Sequence, residues 1–194
     1  MSGQHKKLTA KEIIESYNKG ERNFQNLDLQ ATSFHRVDLS GINFSGSNLA
    51  SAYFKDGSLK DANLSHTNLS NVEMNCQDLS HTDLSYSNLS NCNLSEISLE
   101  KANLTEANLT EAHLEEFTME YANLMGANLT NAVVGGSMEG VNLTNANLEG
   151  AKVAGFAIYS ADADPDSIEL EYDIPYAILC NTIMPDGTIR NDNC

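Results

Sequence analysis

The chain contains no tryptophan, aromatic residues make up only 7% of it, and 11 lysines and arginines stand against 27 aspartates and glutamates. Scarce aromatics in a uniform polar and apolar mix are compatible with disorder, unless the apolar residues prove to be strictly spaced. The shortage of positive charge leaves a formal net charge of −16. That excludes nucleic-acid backbones and anionic membranes as direct partners and leaves basic proteins or cations. No apolar run approaches a membrane span, and the start, Met1 to Lys7, is polar with no hydrophobic signal region. The expectation is a soluble, unprocessed chain without membrane insertion. A low-complexity linker is also missing from the 194 residues, so they read as one domain or one capped solenoid. Nucleophile elbows, phosphate loops and paired-cysteine zinc signatures are absent, which leaves no catalytic or cofactor-binding residue to nominate.

What is present is a period. An apolar residue recurs at every fifth position from Phe24, Leu29, Phe34 and Leu39 through to Val134. Helices want a period near 3.6 and strands a period of 2, so each quintet must turn a corner. Two residues before most of these stands a small or β-branched residue, such as Ala62, Thr67, Ser87 or Ala102, and one residue before stands Asn or Asp. If the large and small residues both point inward, the small one leaves the room that the large one fills. The spacing slips once, from Val134 to Met138, and resumes at Leu143, Leu148, Val153 and Ile158. Gly135 and Gly136 sit at the slip, where permissive backbone angles are expected to tighten a corner.

This A-(N/D)-L-x-x pattern resembles the pentapeptide-repeat family at nearly every quintet from Phe24 to Ile158. The resemblance implies an all-β fold, a right-handed quadrilateral parallel β-helix with four quintets per turn. It implies about seven coils and a length of roughly 34 Å at the usual interstrand spacing. Residues twenty apart then stack, giving a core ladder of Phe24, Phe44, Leu64, Leu84, Leu104 and Leu124. Aromatic stacking is expected for Phe24 with Phe44 and for Phe34 with Phe54.

Open coil ends expose unpaired backbone groups and need covers. In residues 1–23, a tail and capping helix, Thr9 and Glu12 form a capping box, Leu8 can staple to Ile13, and Gly20 ends the helix. Ile13, Ile14 and Tyr17 would lie over the first coil. The repeats occupy 24–158. In the C-terminal cap, 159–194, Pro165 can open a short helix with Ile168 and Leu170 on its buried side. Ile174, Leu179, Met184 and Ile189 then return to a spacing of five, which predicts one irregular extra coil closed by a Pro185-Asp186-Gly187 turn.

Cys92 occupies a small inward slot and Cys76 an outer one. Residues Leu179 to Gly187 look like the tail of cyanobacterial and plastid members of the family, in which a disulfide brackets the cap; by that resemblance Cys180 pairs with Cys194. Two free thiols in a reducing cytosol are the alternative. His35, His66, His81 and His113 read as surface histidines. Asn-Leu-Ser and Asn-Leu-Thr triplets are by-products of the repeat rather than glycan acceptors. Asp162, Asp164, Asp166 and Asp173 have the spacing of a calcium loop, but Ser167 stands where a glycine is needed and Pro165 stiffens it.

Glu96, Glu100, Glu106, Glu111, Glu115, Glu116 and Glu120 gather against a single Lys101, forming a candidate interaction patch. Stacked like charges cost stability that a partner can offset. The expected function is a non-enzymatic, rigid scaffold for an undefined protein partner. The alternative, by resemblance to gyrase-binding family members, is DNA mimicry, and a structural rod or a calcium-binding cap follows. The 16 acidic and 5 basic residues of 24–158 supply about half the charge density of duplex DNA. The cytoplasm is the expected location, with the thylakoid lumen or periplasm as alternative if a leader is missing.

Overall fold

The computed structural model describes residues 6–75, 77–153 and 177–194. Its repeat works because each quintet satisfies its own backbone. In the turn around Leu104, Asn103 N donates to Thr82 O of the preceding coil (2.9 Å), and Leu104 N to Asn123 O of the following one (2.7 Å). Thr105 N donates to the Asn103 side-chain oxygen (3.2 Å), Glu106 N to Met125 O (2.8 Å) and Ala107 N to Leu104 O (3.0 Å). All five N–H groups are therefore bonded. The last bond closes a four-residue turn whose third residue, Glu106, has φ 57°, in the type II sense. The Asn before each inward leucine thus faces outward, as expected, and caps an N–H that no neighbouring coil reaches.

Coils succeed one another at intervals of twenty residues, with parallel bridges from Asn23 to Asn43, Asn43 to Asn63, and so on to Asn123. The result is a right-handed, four-sided parallel β-helix of about six turns, one fewer than the spacing predicts. The first wall is centred on Phe24, Phe44, Leu64, Leu84, Leu104 and Leu124, all buried; Leu29, Phe34 and Leu39 begin the second, third and fourth. Phe34 and Phe54 stack at 5.0 Å, whereas Phe24 and Phe44 are tilted by 54° at 6.1 Å, because the first ring lies at the end of the column.

Regular strands form where backbones run straight. β1 (Lys6–Lys7) precedes α1 (Ala10–Asn18) and β2 (Leu27–Asp28). On the third wall β3 (Ser33–His35), β4 (Tyr53–Lys55) and β5 (Glu73–Asn75) pair in parallel, as do β6 (His113–Thr118), β7 (Val133–Ser137) and β8 (Lys152–Val153). The corner from the third wall to the fourth takes larger inward residues than the small-residue rule predicts: Gln77, Ile97 and Phe117, all buried. Gln77, with its amide oriented to present oxygen, accepts from Lys55 N and Gly57 N at 3.0 Å, so its burial leaves no polar atom stranded.

The register slip falls at Gly135 and Gly136, as expected, but neither glycine adopts a positive φ. Glu115 pairs with Gly135 and Phe117 with Gly136, so Glu116 bulges unopposed with φ 53°, and later bridges span nineteen residues, as from Asn123 to Asn142. The left-handed residue is Glu116, not Gly136. A Cβ on Gly136 would lie 2.4 Å from Phe117 O, so glycine there supplies space rather than angle.

At the N-terminal end Thr9 and Glu12 form the capping box, and Glu21 N to Ser16 O with Gly20 N to Tyr17 O closes α1 in a Schellman arrangement. Ile13 is fully buried, Ile14 and Tyr17 pack against the core, and Tyr17 OH donates to Ser40 O (2.7 Å), a carbonyl on the open edge of the first coil. The sequence gives no hint of β1, which pairs in parallel with β2 and covers another part of that edge. At the other end β9 (Leu179–Ile183) continues the coil: Ile178 bridges Asn142 and Ile183 bridges Asn147. Ala177, Leu179, Thr182 and Met184 are buried as expected. Ile189 is not; it is 59% exposed on β10 (Ile189–Asp192), which turns back at Gly187 and pairs antiparallel with β9. The predicted inward Ile158 and Ile174, and the helix opened by Pro165, lie outside the described residues.

Asn side chains also form a ladder up the second wall, where Asn88 donates to Asn68 (3.3 Å) and Asn108 to Asn88 (3.1 Å) while Asn88 caps Ser90 N (3.2 Å). Asn88→Ala is expected to cost about 1–2 kcal/mol in urea unfolding, against less than about 0.5 for Ser90→Ala. Equal effects would show that the ladder adds nothing.

Candidate interaction surface

The walls rather than any cleft carry the chemistry. Every coil displays its outward residues at fixed positions, so side chains twenty apart become neighbours and those adjacent in sequence diverge around four corners. This geometry divides the seven predicted glutamates. Glu96 and Glu116 share the corner between the third and fourth walls with Glu115, whose carbonyl accepts from Glu96 N (2.9 Å). Glu100 and Glu120 share the opposite border of the fourth wall, where Lys101 N donates to Glu120 O (2.9 Å). Glu106 turns the corner between the first and second walls, and Glu111 the corner between the second and third. The expected single patch is therefore five residues on one wall and two elsewhere.

A sixth carboxylate joins the five. Glu139 continues the row of Glu100 and Glu120: its carbonyl accepts from Tyr121 N (2.8 Å), and its carboxylate from Tyr121 OH (3.4 Å). A count of twenty from Glu120 misses Glu139, whereas the nineteen-residue coil after the slip finds it. Ser98, Thr118 and Ser137 lie between the two rows, and Ser137 donates to Glu120 (3.1 Å).

Electrostatics within the wall are local. Lys101 Nζ meets Glu100 at 2.6 Å, and this hydrogen bond, with the charge behind it, holds the Glu100 carboxyl below its ordinary range. The Glu139 charge, followed by desolvation, pushes the Tyr121 hydroxyl up. The Tyr121 ring lies across Gly140, where an added Cβ would fall 2.6 Å from it. Tyr121 and, at another corner of the first wall, Tyr86 are both more than half exposed, and Tyr86 stacks on His66 at 5.0 Å.

The remaining candidates separate cleanly. Cys180 and Cys194 are bonded, with Cα atoms 5.4 Å apart. Cys92 is buried, its thiol donates to Leu69 O (2.8 Å), and burial pushes its pKa up to about 12, so it is a neutral filler. His35, His66, His81 and His113 are exposed. Among the described residues no group of His, Cys, Asp or Glu is arranged to hold a metal ion, and no helix is long and apolar enough to cross a membrane. Asp162, Asp164, Asp166 and Asp173, like Cys76, lie outside the described residues.

No curated protein sequence matches the chain. Among solved structures it is similar to HetL, a pentapeptide repeat protein involved in heterocyst differentiation regulation from the cyanobacterium Nostoc sp. strain PCC 7120, at 23% identity, with 94% of this chain and 100% of that one covered and a TM-score of 0.36. It is similar to alr5209, a pentapeptide repeat protein from Nostoc PCC 7120, at 30% identity over 58% of this chain and 84% of that one, with a TM-score of 0.31. It is also similar to QnrB1, a plasmid-mediated fluoroquinolone resistance protein, at 18% identity over 81% and 86% of the two chains, with a TM-score of 0.39. The family model for Pentapeptide repeats matches eight copies, over residues 23–60, 38–85, 58–96, 78–115, 107–137 and 122–155. That span takes in most of the sequence and coincides with the coils described above, and the chain belongs to the pentapeptide repeat family.

Proposed function

We propose that this protein is a non-enzymatic rod that docks a basic protein partner along its fourth wall. The observation that carries this reading is the pair of carboxylate rows, Glu96 with Glu115 and Glu116 on one border and Glu100, Glu120 and Glu139 on the other, set on a backbone that cannot splay them apart. Like charges on neighbouring coils oppose folding, and a cationic surface laid across both rows relieves that repulsion. DNA mimicry is the weaker reading, because the 16 acidic and 5 basic residues of 24–158 supply only about half the charge density of duplex DNA. The Cys180–Cys194 bond favours an oxidising compartment over the cytoplasm expected from the sequence.

The test is a capture experiment from native extract with two charge-reversed forms. Reversing Glu115, Glu116 and Glu120 to Lys should lower recovery of the partner by about tenfold or more, with the remaining binding weakened further by salt. Reversing Glu106 and Glu111, which lie on other corners, should leave recovery unchanged. If the fourth-wall form keeps every partner, this wall is not the contact.

A further inference from the structure

The two C-terminal strands are held to the rod by different means. β9 is anchored: Leu179 and Thr182 point inward and are buried, Ile178 N donates to Val141 O (2.9 Å), Asn145 N to Cys180 O (2.7 Å), Ile183 N to Ala146 O (3.0 Å) and the Thr182 hydroxyl to Leu143 O (2.6 Å). β10 shows no such burial: among the described residues it pairs antiparallel with β9, and the Asn191 side chain accepts from Asn181 N of that strand (2.9 Å), while none of its own residues is buried. Just beyond it, Asn193 donates to Ala177 O (2.9 Å) and Cys194 is bonded to Cys180. In this position β10 occupies the place of the next coil and covers the outer edge of β9, which would otherwise present unpaired backbone groups.

We propose that the Cys180–Cys194 bond is a reducible latch: a dithiol reductant opens it, frees β10 and uncovers the edge of β9, while the coils stay closed. Cys194 is exposed and Cys180 half-buried, so the reductant's thiolate reaches Sγ of Cys194. The S–S bond breaks as a mixed disulfide forms, and Cys180 leaves as a thiolate that takes a proton from water. The reductant's second thiol then attacks its own sulfur in the mixed disulfide, releasing the Cys194 thiolate. Two electrons pass to the protein, and the reductant departs as a disulfide. Oxidised, the end of the rod is sealed; reduced, it offers a strand edge. This role is independent of the acidic wall and of any partner bound there.

Hydrogen exchange of the full chain, read by mass spectrometry with and without dithiothreitol, tests the latch. Reduction should speed exchange over 187–194 by about tenfold or more and leave 100–150 unchanged, and Cys194→Ser should behave like the reduced protein without any reductant. Unaltered exchange over 187–194, equal acceleration throughout the coils, or a bond that dithiothreitol leaves intact in the folded chain would each overturn the proposal. Brief exposure to glutathione followed by acid quenching should place the adduct on Cys194, and an adduct confined to Cys180 would overturn the stated order of attack.

Discussion

Replacing Leu104 by alanine should lower the unfolding free energy by about 2–5 kcal/mol, because the residue is fully buried even in a rod whose walls are only one side chain deep. Leu104 fills the space left by Ala102 and Ala107 in its own coil and stacks between Leu84 and Leu124 in its neighbours. Removing three side-chain carbons leaves a void that parallel backbones locked by interstrand bonds cannot collapse to fill. Glu106→Ala, two residues along, removes only an exposed side chain and should shift stability by less than about 0.5 kcal/mol. Urea unfolding followed by circular dichroism distinguishes the two. Equal effects would mean that Leu104 is not in the interior.

Gly57→Ala should also be costly, for a reason unrelated to backbone angle. A Cβ at Gly57 would lie 2.3 Å from Val37 O and 3.2 Å from Val37 C, both backbone atoms of the coil before. Neither can swing aside, and Gly57 N is additionally held by Gln77. Forcing the coils apart should cost about 1–3 kcal/mol. Gly41 is the comparison, since nothing lies within 4 Å of its Cβ position although its φ is +70°. Gly41→Ala should cost about 1 kcal/mol, from conformation alone. Thermal unfolding of the two variants gives the order, and a Gly57→Ala protein as stable as the Gly41→Ala one would contradict the close approach.

The difference between these two glycines marks where reading the sequence stops. Inwardness was legible because it divides residues into two kinds, and Phe24 to Val134 repeat that division at every fifth place. Backbone conformation leaves a weaker trace. Left-handed corners occur at residues as unlike as Ala31, Arg36, His66, Tyr86 and Glu111, so the demand for positive φ does not show in composition. Asn before each leucine was legible as outward-facing, but not as the cap on the N–H two residues later, because capping is a matter of distance.

The errors share a physical origin. Ile189 keeps the spacing of five yet belongs to an antiparallel hairpin, since periodicity alone cannot tell a further coil from a strand that turns back. The seven glutamates looked like one patch because they are close in sequence, whereas a square coil sends Glu106 and Glu111 to corners away from Glu115. Glu139 was missed for the converse reason: the coil between them is one residue short at Gly135 and Gly136, which brings Glu139 below Glu120 one place early. Two-residue β1 has no periodicity to detect, and its place is set by the open edge it covers.

The claim beneath all of this is that each coil advances the rod by one interstrand spacing and returns to the same wall. Spin labels at Ser45, Ser65 and Thr144, which occupy equivalent outward positions on the first wall, measure it directly by electron–electron double resonance. Ser65 and Thr144 lie four coils apart and Ser45 and Thr144 five, so the second pair should be longer by about 5 Å, with both near 20–25 Å. Equal distances, or a difference of more than about 10 Å, would contradict the square coil.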